Sequence, residues 1–129
     1  MDFFVIVLQT MVKTSIIKTA IKFRQDLTEN KNFLLMIEKS KTERKTEKVI
    51  KSASKSELCI LKDLIQNISD KNIQISKNLL DTKKKYGSVV SLIASFKRTS
   101  SIHKSQASLR RFLIKFARTL PIIVKTVLQ

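Results

Sequence analysis

Apolar residues recur along this chain mostly at three- and four-residue steps, the repeat of a helix with one buried side. The first stripe is Val5, Leu8, Val12, Ile16, Ala20, Phe23 and Leu27, with Lys13, Lys18, Lys22 and Arg24 mostly off it. Residues 3–6 are apolar all round, so this end calls for burial, a partner or a membrane. It lacks the basic lead and small-residue cleavage site of a secretory signal. It is also shorter than the run of about 20 apolar residues that a spanning helix needs.

A polar break at 28–32 precedes FLLMI at 33–37, which predicts the start of a second helix. Its continuation, EKSKTERKTEKVIKSASKS, has almost no apolar face, so residues 39–53 read as an exposed charged helix or mobile linker. This divides the chain into an N-terminal amphipathic segment (1–38), the charged stretch (39–53) and a C-terminal module (54–129).

In that module, Ser54 and Glu57 have capping-box spacing, and Leu58, Leu61, Leu64, Ile65 and Ile68 follow as one stripe. A next helix is predicted from Ser76 as N-cap, with Leu79, Tyr86, Val90 and Ile93 inward, joined by Val89 and Phe96. Gly87 lies inside it and marks a kink or a close helix crossing. A last helix from about Ile102 to Thr119, capped within Thr99-Ser100-Ser101, puts Ile102, Gln106, Leu109, Leu113, Phe116 and Leu120 on one stripe. Pro121 ends or kinks it, leaving the apolar tail PIIVKTVLQ. One Gly and one Pro are too few for the tight turns of an all-β fold. The expected fold is all-α with no sheet: about five helices, the last three forming a basic bundle that is helix-turn-helix-like at most.

Charge changes the picture. The net charge is +16, and all 10 acidic residues lie at or before Asp81, while 11 of the 26 Lys and Arg follow it. A field of one sign attracts polyanions, so nucleic acid and anionic membrane are the leading partners. The cations expected to touch nucleic acid are Lys83, Lys84, Lys85, Lys97, Arg98, Lys104, Arg110, Arg111, Lys115 and Arg118.

Catalysis has little to work with. His103 is the single histidine and reads as a surface residue on a basic helix. Cys59, the single cysteine, reads as a small buried apolar residue and excludes an internal disulfide. One Cys and one His cannot make the usual four-ligand zinc site, and one glycine cannot make a phosphate loop. The expectation is no enzyme activity, no metal and no cofactor.

Over residues 56–122 the chain has, in order, Glu57 and Cys59, Asn72-Ile73, Ser76, Lys83 to Lys85, Ser100 or Ser101, Arg110-Arg111 and Leu120-Pro121. That order resembles a small basic protein family of Polinton-type elements and their adenovirus-like relatives, the adintoviruses. The family's Gly-Gly before the apolar tail is absent, with Lys115 to Arg118 in its place. The resemblance implies a virus-like genetic setting, with a packaged genome as the polyanion. The first expectation is thus a non-enzymatic, mainly electrostatic DNA-binding protein of a virion core, intracellular, in the nucleus or virion, and not secreted. DNA is expected ahead of RNA. The alternatives are a membrane-active or capsid-associated amphipathic protein, for which LRRFLIKFARTLPIIVKTVL has the pattern, and a helical scaffold that pairs with a partner or with itself.

Overall fold

The computed structural model describes residues 24–70, 73–75 and 77–128, and every element among them is helical. The expected N-terminal stripe up to Phe23 and the Ser76 cap lie outside the described residues. Residues 24–29 are helical and lead into α1 (Lys31–Lys39), α2 (Glu43–Lys51), α3 (Lys55–Ser69), a 3-10 helix (Lys77–Leu80), α4 (Lys83–Thr99), α5 (Gln106–Lys115) and α6 (Leu120–Leu128). The seven helices from Lys31 on exceed the expected number of about five. The difference arises because residues 40–42 and 81–82 interrupt what read as continuous pattern, and because the tail forms a helix of its own.

Local chemistry explains the starts. Thr42, Thr82 and Ser105 each accept a hydrogen bond from the backbone N–H three residues on, which satisfies one orphan donor at the start of α2, α4 and α5. At α3 the expected capping box is complete: Glu57 N–H donates to Ser54 Oγ at 3.2 Å, and Ser54 N–H donates to Glu57 Oε1 at 2.8 Å. Pro121 falls in the first turn of α6, where its missing N–H costs nothing.

α3 is the central helix, packing against α4, α5 and α6. Its predicted stripe Leu58, Leu61, Leu64, Ile65 and Ile68 is buried, together with Ile60, while Cys59 is only half-buried. α1 packs along α6, burying Phe33, Leu34 and Ile37 with Leu120, Ile123 and Val124. α2 packs along α5, and the two run antiparallel: Arg118, beyond the end of α5, meets Glu43 at the start of α2, while Arg110 meets Ala53 just past its end. The charged stretch 39–53 is therefore not a spacer between two halves. Ile50 and Ala53 belong to the same core as α1 and α3 to α6, because their spacing gives α2 one narrow buried edge beneath a charged exterior.

Two predicted faces are corrected. In α4 the buried residues are Val89, Leu92 and Phe96, whereas Tyr86 and Val90 are 58% and 47% exposed. The break at 81–82 puts Leu79 in a separate 3-10 turn, so it no longer sets the phase of α4. Residues 100–104 form turns and α5 starts after Ser105, which leaves Ile102 and Gln106 outside. Gly87 does not mark a close crossing: a methyl group there would meet no atom of a neighbouring element within 4 Å, and α4 is continuous through it.

Candidate nucleic-acid interface

Nine of the ten predicted contact residues are exposed. They do not gather as their order in the chain suggests. A groove of about 330 Å³ forms where three segments meet: residues 40–43 between α1 and α2, the first turns of α4, and the corner that joins α5 to α6. Lys84, Lys85 and Arg118 line it, together with Lys41, over a floor that includes Ala117, Pro121 and Ile122. Ser88 and Thr119 hydrogen-bond through their hydroxyls and hold α4 to the corner.

Arg111 and Lys115 are exposed one helical turn apart on α5, and Lys115 Nζ lies 5.8 Å from the Phe116 ring centre. The next turn carries Arg118 into the groove. Lys41, Lys84, Lys85 and Arg118 thus share one groove, and Arg111 and Lys115 are exposed on the helix that leads to it. Lys97 and Arg98 sit at the other end of α4, about 20 Å along its axis from Lys84. Lys104 lies in the turns beyond them, and Lys83 is exposed but does not line the groove.

Arg110 has a different task. Its side chain is half-buried, Nη2 donates to Ala53 O at 2.8 Å, and Nε is buried with no partner among the described residues. It ties α5 to the α2–α3 connection. Lys41 is the groove residue that sequence reasoning missed. It lies in the stretch that reads as an exposed charged helix or linker, and nothing local distinguishes it from its charged neighbours.

Two ion pairs form between described residues: Lys85 with Asp81 at 3.1 Å and Arg118 with Glu43 at 3.4 Å. Both are exposed, and such pairs are weak and salt-screened.

His103 is corrected from surface to interior, with 8% exposure. Its ring packs against Phe112, tilted by 47° with centroids 4.5 Å apart, Nε2 bonds Thr99 Oγ1 at 2.9 Å and Nδ1 bonds Ser108 Oγ at 3.2 Å. Burial, and next the charge of Lys62, push its pKa below the usual 6.5, against a smaller upward pull from a hydrogen bond with Ser108. The unfolded chain therefore binds this proton more readily than the folded one, and stability is lost as pH falls through 6.5. Thermal unfolding across that range is expected to show a falling midpoint, and His103→Gln to flatten the fall.

No helix among the described residues is long and apolar enough to cross a membrane. Fold and groove together define an all-helical chain with a cationic groove at a three-segment junction. No protein-family model, curated protein or solved structure matches it.

Proposed function

We propose that this chain is a non-enzymatic protein that binds double-stranded DNA, chiefly through phosphate contacts, and packages a genome in a virus-like setting. Its contact surface belongs to a basic module of α3, α4 and α5, helix-turn-helix-like at most, extended by the corner before α6 and by Lys41 ahead of α2. The observation that carries this reading is the meeting of Lys41, Lys84, Lys85 and Arg118 around one groove, with Arg111 and Lys115 exposed on the helix that leads to Arg118. Phosphate contacts need positive side chains in reach of one another and no particular base. Aromatic stacking contributes little: Phe33, Phe96 and Phe112 are buried, Phe116 is half-buried, and the exposed Tyr86 lines a different, apolar groove.

The test is the salt dependence of duplex binding. Neutralising Arg111, Lys115 and Arg118 together is expected to reduce the slope of log affinity against log salt by about 2.7, at about 0.9 per phosphate contact. An unchanged slope removes α5 and the corner from the interface.

A second reading, protein-partner binding, is supported by a different groove of about 360 Å³, where Ile75, Leu80, Tyr86, Val90 and Ile93 leave apolar surface open beside the 3-10 turn. A capsid protein or a second copy suits such a surface. The membrane reading has less support, because Leu109, Phe112, Leu113, Leu120, Ile123 and Val124, which an interfacial helix would insert, are in the core.

A further inference from the structure

We infer that the cationic groove is a seat for one phosphate of the nucleic-acid backbone, and that two of the chain's own carboxylates compete with that phosphate. This rests on the proposed DNA binding and adds the point of grip and the group that weakens it.

Chain segments more than 30 residues apart in sequence place Lys41, Lys84, Lys85 and Arg118 around one small groove. Its single lining carboxylate is Glu43, whose Oε2 is 3.4 Å from Arg118 Nη2. The other ion pair between described residues, Lys85 with Asp81, engages a second groove cation. Both pairs therefore engage groove cations, Glu43 from within the lining and Asp81 from just outside it, four residues before Lys85. Four cations meet two carboxylates, so a net positive charge remains, and the floor of Ala117, Pro121 and Ile122 has no charged group to cancel it. The Ser40 and Thr46 hydroxyls donate to Met36 O and Thr42 O, and Ser88 is bonded to Thr119, so the four cations, with the Thr42 hydroxyl beside them, are the recognising groups.

The volume lies at the low end of the range for small ligands, ~300–1,000 Å³. It suits a phosphate with its adjoining sugars better than a protein segment. A guanidinium fork and ammonium groups accept phosphate oxygens in place of carboxylate oxygens. The carboxylates are exposed and weakly held, so an arriving phosphate displaces them. Once displaced they stay tethered a few ångströms away and repel the new occupant.

Glu43→Gln and Asp81→Asn are therefore each expected to tighten binding of a short DNA duplex about two- to five-fold at low salt. Glu29→Gln makes the same charge change at an exposed position outside the groove and is expected to do less. Lys84→Gln with Arg118→Gln is expected to weaken binding more than Lys97→Gln with Arg98→Gln. All these side chains are exposed, and an unchanged thermal midpoint checks that each variant folds. Backbone amide shifts are followed in parallel, with the duplex and with inorganic pyrophosphate. Shifts centred on Lys84, Ser88 and Arg118 with both probes, plus tighter binding by Glu43→Gln than by Glu29→Gln, support the seat. Duplex binding with the groove amides unmoved and the two Gln variants equal overturns the seat and leaves DNA binding standing. Groove shifts with pyrophosphate but no duplex binding overturn the DNA reading and leave a phosphate seat. Silence from both probes overturns both.

Discussion

Leu34→Ala is expected to cost about 2–5 kcal/mol, the usual range for truncating a fully buried leucine. Leu34 has no exposed surface and lies on α1, whose other inward residues, Phe33 and Ile37, are buried too. α1 packs along α6, so the early helix and the apolar tail close the core against each other. The lost methyl groups leave a cavity in a densely packed region, and the missing transfer energy and missing contacts add. Because α1, α3 and α6 share one core, the loss is expected to lower the midpoint of a single cooperative unfolding transition. A midpoint unchanged from the parent chain means α1 is peripheral. The groove depends on the same contact, since α1 and α6 lead directly into the segments that carry Lys41 and Pro121.

Arg110→Ala and Arg111→Ala, one residue apart, are expected to act on different properties. Arg110→Ala removes the bond to Ala53 O and leaves a carbonyl unpaired on a residue with 4% exposure. Hydrogen bonds to charged groups are worth about 1.5–3 kcal/mol, and the destabilisation is expected in that range. Arg111 is exposed, and its replacement is expected to move stability by no more than about 0.5 kcal/mol. It should instead lower duplex affinity and the salt slope by about one contact, at about 0.9 per phosphate. Denaturant unfolding and salt-dependent binding, measured on both variants, separate the two roles. Equal losses of affinity with no loss of stability would return Arg110 to the interface.

α3 shows where the sequence is most legible. Its capping box and its stripe from Leu58 to Ile68 are local features that agree with its burial, so nothing distant overrides them. α4 shows why the same method slips. Reading Leu79 and Tyr86 as one continuous helix sets a phase that the break at 81–82 cancels, and the inward face becomes Val89, Leu92 and Phe96. His103 slipped for another reason. A lone imidazole among cations reads as surface, and only its tilted packing on Phe112 and its bonds to Thr99 and Ser108 make the interior acceptable to it.

Helical character, the absence of strand signals and the excess of positive charge after Asp81 follow from residue type and spacing. Those are properties of neighbours in the chain. Which cations meet was decided elsewhere: Lys41 and Arg118 share a groove because α1 docks on α6 and α2 runs antiparallel to α5, and Arg110 reaches Ala53 O for the same reason. Long-range packing of apolar faces sets the position of every helix start and corner. A charged side chain rides on that frame, and its own sequence context carries no record of what stands opposite.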